Sequence, residues 1–231
     1  MKKPANRLWV LVIAGFLLPG SLLRAEAQTY NLEQVLAKMN EVGQTFRSLE
    51  ASIDRTRVTV LVNDEVLEQG KVYFSRKAAG SRIRFDFTKP MEYSALIDMG
   101  KASVYYPRIK QVREHVLGGD QDKAEFLLIG FGQSNESIRK TYDASLAGEE
   151  TIDGQKTSIV DLKPKSAQVS AMFTTIRLWI DQKRWIPVQT RVTEANRDFQ
   201  IVKFSNIRMN AGIADSIFKL KLPRDVQVLR M

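Results

Sequence analysis

Cysteine is absent from all 231 residues, and histidine occurs once, as His115. The first absence excludes a disulfide framework, a thiolate nucleophile, thiolate metal sites and a lipid-bearing cysteine behind the N-terminal apolar segment. The second removes every two-histidine metal scheme. No phosphate-cradling G-x-x-x-x-G-K-[ST] loop and no G-x-S-x-G nucleophile elbow occur. A triad of His115 with Asp120 or Asp122 therefore has no identifiable serine, and a solvated loop histidine is expected. Asp120-Gln121-Asp122 opens like a calcium loop, but the twelfth position, where a bidentate glutamate belongs, is Phe131. Glu149 with Glu150, and Asp86 near Glu92, read as surface charge. No catalytic residue, metal or cofactor is expected.

Long apolar runs are also missing. Leu8 to Leu18 falls short of the roughly 20 residues needed to span a bilayer. It follows Lys2, Lys3 and Arg7 and precedes Ala25-Glu26-Ala27, which together read as a secretory signal peptide over 1–27 with cleavage before Gln28. Residues 28–231 then form one exported domain, free in solution and large enough for a sizeable core. Without Lys2, Lys3, Arg7, Arg24 and Glu26 the chain keeps 31 basic and 25 acidic residues, a net charge of +6. Acidic partners or anionic lipid surfaces suit that balance. Nucleic acid does not, because Arg82 and Arg84 alternate with Ile83, Phe85 and Phe87 as the solvent side of a strand does.

What the chain does contain is periodicity. Asn31 with Gln34 forms a helix N-cap pair, and Leu32, Val35, Leu36, Met39, Val42, Phe46 and Leu49 recur at helical spacing, predicting a helix from Leu32 to Leu49. From Ser52 the period becomes two. Strands are predicted at Ile53 to Val62, Leu67 to Arg76, Arg82 to Thr88, Tyr93 to Met99 and Lys101 to Tyr106. A very apolar short helix over Phe126-Leu127-Leu128-Ile129 and another capped by Ser134 or Asn135 and running to Tyr142 come next. Strands resume near Ser145 and continue at Thr157 to Leu162, Phe173 to Ile180, Val188 to Glu194 and Phe199 to Ile207, with Val226 and Val228 at a sheet edge. The expected fold is α+β: a large curved antiparallel sheet forming an incomplete, open β-barrel, its concave face covered by helices.

The alternation puts Val72, Phe74, Ile83, Phe85, Phe87 and Leu96 on one sheet face. The helix carrying Phe126, Leu127 and Ile129 faces them. Each of these residues could simply be core. The helix is nevertheless apolar nearly all round and lies between Gly118-Gly119 and Gly130-Phe131-Gly132, as a lid would. Arg76 is in phase with Val72 and Phe74, so a cation is aimed at the apolar face.

Taken in order, several segments resemble the periplasmic outer-membrane lipoprotein carriers of the LolA type. They are Gly70-x-Val72-x-Phe74-x-Arg76, Arg82-Ile83-Arg84-Phe85 to Pro90, Phe126-Leu127-Leu128-Ile129, Leu178-Trp179-Ile180-Asp181 with Pro187, and Phe218-x-Leu220-x-Leu222-Pro223-x-Asp225-Val226. The resemblance implies an unclosed barrel with a hydrophobic cavity that takes up the acyl chains of lipoproteins. It also implies an inner-membrane ABC transporter that releases them, an outer-membrane acceptor that receives them, and a monomeric carrier with no enzymatic step. The family's closure-controlling arginine, which bonds the lid helices, corresponds to Arg76. The proline common after that arginine is replaced here by Lys77-Ala78-Ala79-Gly80. Other readings of the same pocket are a periplasmic sensor or scaffold, a carrier for another envelope lipid, and an enzyme acting on an envelope lipid or polymer.

Overall fold

The structure, a computed structural model, describes residues 29–77, 80–98, 100–116 and 129–230. The proposed signal peptide and the helix over Phe126 to Leu128 lie outside the described residues. Helix α1 (Leu32–Thr45) starts where the sequence indicates. The Asn31 side chain accepts from Gln34 N–H, and Gln34 Oε1 accepts from Asn31 N–H, which satisfies two otherwise unpaired donors. The helix ends four residues before Leu49. Phe46 turns to extended φ/ψ and drops, fully buried, into the aromatic cluster described below, so tertiary packing outweighs the helical period.

The chain then runs through β1 (Ser48–Thr59), β2 (Asp64–Lys77), β3 (Gly80–Lys89), β4 (Tyr93–Asp98), β5 (Lys101–Tyr106) and β6 (Gln111–Val116). Helix α2 (Asn135–Thr141) precedes β7 (Tyr142–Ile152) and β8 (Gln155–Pro164), and the short α3 (Ala167–Ser170) precedes β9 (Phe173–Asp181). Strands β10 (Pro187–Glu194), β11 (Phe199–Met209) and β12 (Gln227–Arg230) complete the set. All twelve strands join one sheet, ordered β12-β6-β5-β4-β3-β2-β1-β11-β10-β9-β8-β7. Its two edges, β12 and β7, do not pair with each other, so the barrel is open. Every neighbouring pair is antiparallel except β12 with β6, which is parallel. Strand β6 has no expectation in the sequence reading, and it takes His115 out of a loop: the residue is exposed and pairs with Ala102.

Register assigns the faces, because residues opposite each other in an antiparallel ladder point the same way. Leu49, Phe74, Ile83 and Ile97 form one inward row; Ala51, Val72, Phe85 and Ala95 form the next. Further along the sheet the inner face continues through Phe204, Leu178 and Val160. Helix α1 lays Val35, Leu36 and Met39 onto Val160, Leu162, Ile176 and Leu178. The pleat fixes the opposite face equally. Leu96 pairs with Arg84, so Leu96 points outward, away from Ile83 and Phe85.

Arg82 and Arg84 are not simply solvated. They hold the segment after β11 against the outer face: Arg84 Nη1 donates to Ile217 O (2.6 Å), and Arg82 donates to Asp215 (2.6 Å) and lies over the Phe218 ring. Hydrogen bonds from Lys77 and Arg82 hold the Asp215 carboxyl down to about 2.

Candidate functional site

The inner face is closed at one end by the loop 129–134. Phe131 from this loop inserts between Phe46 (ring centroids 6.2 Å) and Phe204 (5.1 Å, edge-on), and Phe46 stacks on Phe74 at 5.3 Å. The loop lies so close that side chains are excluded at its glycines. A Cβ on Gly132, whose φ is +70°, would sit 2.4 Å from the Phe46 ring, and one on Gly130, at φ +87°, would sit 2.7 Å from Pro187.

Arg76 completes the closure. Its position on β2 puts it on the inner face beyond Phe74, where Nη1 donates to Gly132 O at 3.1 Å and the guanidinium lies 5.6 Å from the Phe74 ring centroid. A single cation thus ties the loop to the strand carrying the aromatic wall. Of the other residues singled out in the sequence, Val72, Phe74, Ile83 and Phe87 are buried in the same cluster, and Phe85 is half-buried and stacked on Phe87. Ile129 is buried where α1 meets β8 and β9. Leu96 leaves the set because it faces outward, and Phe126 and Leu127 lie outside the described residues.

Below this closure the inner wall holds a cavity of about 50 Å³, bordered by Ile53, Phe85, Phe87, Ile129, Val202 and Phe204 and by the polar Arg55, Thr190 and Gln200. That volume holds no more than a few waters. Phe46 and Phe131 are buried in the aromatic cluster of the same interior.

A second polar group on the inner face has no counterpart in the sequence reading. Arg55 faces Glu68 across β1 and β2. Arg55 Nε donates to Glu68 Oε2 at 2.8 Å, Arg57 Nε lies 3.1 Å from the same oxygen, and Tyr93 O–H donates to Glu68 Oε1 at 2.9 Å. Arg55 Nη2 also donates to Tyr93 Oη, and the guanidinium covers the Phe87 ring at 4.4 Å. Burial above all raises the Tyr93 phenol pKa well above its ordinary range, so it stays protonated. The signal was available: Glu68 is in phase with Val72 and Phe74, as Arg76 is.

Two further features frame the site. A larger cavity of about 500 Å³ opens on the outer face between the β7–β8 turn and β11, where Asn206 takes a positive φ in a bulge opposite Ala51. Its cations are already engaged, Arg184 with Asp181 and Arg208 with Glu50. Exposed Val60, Leu61 and Val62 form the β1–β2 connection, and exposed Met91, Ile109 and Met172 lie on the β3–β4, β5–β6 and β8–β9 connections. Among the described residues no cluster of three metal-ligating side chains occurs, and no helix is long and apolar enough to cross a membrane.

Comparison with known proteins agrees with this geometry. An uncharacterised protein of Methanocaldococcus jannaschii is 20% identical over 224 residues; the match covers 95% of this chain, which spans 60% of that relative's length. An uncharacterised conserved protein from Thermus thermophilus superposes with a TM-score of 0.55 at 14% identity, over 86% of this chain and 98% of that one. The structure of MucB superposes with a TM-score of 0.51 at 12% identity, over 85% of this chain and 64% of MucB. Both likenesses are of fold. Residues 44–221, which contain strands β1 to β11, the aromatic wall and Arg76, match the family described as outer membrane lipoprotein carrier protein LolA, and the chain belongs to that family.

Proposed function

We propose that the chain is a periplasmic carrier that shields the acyl chains of lipoproteins between the inner and outer membranes. In this reading residues 1–27 direct export and are removed, and residues 28–231 act as one monomeric domain. The inner-wall residues Val72, Phe74, Ile83, Phe85, Phe87 and Ile129, with Phe126 and Leu127, contact the chains. An inner-membrane ABC transporter loads the carrier, an outer-membrane acceptor unloads it, and no covalent chemistry takes place.

The observation that carries this reading is the bond from Arg76 to Gly132 O, which fastens a loop over an apolar wall. The energetics fit a releasable cover. Burying a dozen acyl methylenes gives on the order of 10 kcal/mol, whereas a latch of one or two polar bonds costs about 1 to 3 kcal/mol to open and withdrawing two buried phenylalanines about 3 to 6 kcal/mol. Cargo can therefore displace Phe131 and Phe46 from the wall, and a partner protein can bias the opening. The apolar rim at Val60 to Val62 gives such a partner a surface.

Native mass spectrometry of the protein recovered from its own cell envelope, before and after detergent extraction, tests the proposal. The expected result is an acylated mass that detergent removes. Protein free of acylated mass, or a stable complex with a membrane protein and no transfer of cargo to outer-membrane vesicles, would overturn it.

A further inference from the structure

The inner face carries a cation at two places. Arg76 stands near the C-terminal end of β2, and eight residues earlier on the same strand Glu68 faces Arg55 on β1. At a rise of about 3.3 Å per residue the two places are about 26 Å apart. The wall between them carries Leu49, Ala51, Ile53, Val72, Phe74 and Phe85. Arg76 is used in closure. Among the described residues the partners of Arg55 are the neighbouring strand's Glu68, Tyr93 and the Phe87 ring.

Three features distinguish Arg55 from an ordinary cross-strand ion pair. It borders the inner cavity together with Thr190 and Gln200, among lining residues that are otherwise apolar. A guanidinium has five N–H donors. Nε and Nη2 are used, and among the described residues no acceptor is bonded to Nη1. Finally, the buried Glu68 carboxylate is shared by Arg55 and Arg57, so one negative charge faces two positive ones and the cluster keeps a net positive charge. Glu68, Tyr93 and Phe87 hold the guanidinium in place, so little of its freedom remains to be lost when an oxygen ligand arrives.

We propose that Arg55 is a head-group anchor. Its guanidinium donates to the anionic oxygens of an amphiphile, a carboxylate or a phosphate, while the tail lies along the inner wall toward Phe74. This rests on the acyl-carrier reading and adds to it an orientation: head at the Arg55 end, tail toward the Arg76 closure. Glu68 and Tyr93 act as positioning residues, and Phe87 supplies the floor beneath the guanidinium.

The test uses the whole exported chain, stripped of bound lipid, and an uncharged polarity-sensitive fluorophore, N-phenyl-1-naphthylamine, displaced by dodecanoate, dodecyl phosphate or dodecanol. The three share a tail and differ in head, and the first two distinguish a carboxylate from a phosphate source. The expected result is that at least one anionic amphiphile binds about tenfold more tightly than dodecanol, the effect of one charge-assisted hydrogen bond. Arg55→Gln removes that preference, and Arg55→Lys restores part of it. If Arg55→Gln fails to fold because Glu68 loses a partner, Arg55→Gln with Glu68→Gln removes one charge of each sign, keeps the net charge of the cluster with Arg57 unchanged and gives the same readout. Equal binding of all three probes by the unaltered chain, or a preference that survives loss of Arg55, overturns the anchor and leaves the carrier reading standing. Failure of every probe to bind overturns both.

Discussion

Replacing Arg76 with leucine tests the latch directly. Leucine keeps an apolar side chain beside Phe74 but removes the donor to Gly132 O (3.1 Å) and the cation over the Phe74 ring. A hydrogen bond from a charged group contributes about 1.5 to 3 kcal/mol, which corresponds to an opening equilibrium raised about 10- to 150-fold. The cation–π contact adds about 0.5 to 1 kcal/mol at most. Hydrogen exchange followed by mass spectrometry is the assay, because local opening is read separately from global unfolding. Peptides covering 129–134 should exchange at least about tenfold faster in the variant. Peptides from the centres of β1 and β2, held by ladder bonds on both sides, should be unchanged. If exchange rises equally throughout the sheet, Arg76 is a general stabiliser; if 129–134 is unaffected, the bond to Gly132 is not a latch. Either result refutes the reasoning.

Phe74→Ala should lower unfolding stability by about 3 to 5 kcal/mol in urea titration, because Phe74 is 2% exposed and stacked on Phe46. Gly132→Ala combines strain at φ +70° with a 2.4 Å approach to Phe46 and should cost about 1 to 3 kcal/mol or more, whereas Gly212→Ala, with open space around it, should leave the urea midpoint unchanged. The Asp215 carboxyl sits below its ordinary 3.8, at about 2, so its contribution is fully present above pH 3.8 and is lost as pH falls through 2. Exchange in 213–222 should accordingly rise over that window, and Asp215→Asn should show the rise already at neutral pH; a flat profile would contradict the tether.

Much of the fold was legible because burial and period coincide. The capping box of α1, the hairpins β1 to β5 and the strands from β7 to β11 all followed from alternation and turn residues. The failures have particular causes. Leu49 continues the helical period of α1 by coincidence; its neighbour Phe46 is drawn into a cluster built from β2, β11 and the loop 129–134, which no local pattern encodes. Strand β6, Gln-Val-Arg-Glu-His-Val, buries only Val112 among its six residues, so its alternation is masked by charge on both faces. Its pairing with β5 and with the distant β12 is set by topology. Leu96 was misplaced because the phase of a strand relative to its neighbour depends on register across the β3–β4 turn, which composition does not give.

The site was half legible for a related reason. A cation in phase with apolar residues drew attention to Arg76, and the structure gives it a partner 56 residues away at Gly132. Glu68 obeys the same phase rule earlier on the same strand. It lies toward the start of β2, where a charged residue is expected to reach solvent, and its burial depends on Arg55, Arg57 and Tyr93 arriving from two other strands. Ion pairing across strands is a property of the ladder, and the linear chain does not display it.

A carrier of acyl chains requires that the interior, where Phe46 and Phe131 pack on the wall and Phe85, Ile129 and Phe204 border a space of about 50 Å³, opens to admit them. The most direct measurement is hydrogen exchange of residues 129–134 in lipid-free protein and in protein loaded with a diacylglyceryl peptide. The expected result is a one-to-one complex in which 129–134 exchanges faster and the inner strands β2 and β3 exchange more slowly than in the empty protein. A complex that leaves exchange in 129–134 unchanged, or no complex at all, would contradict it.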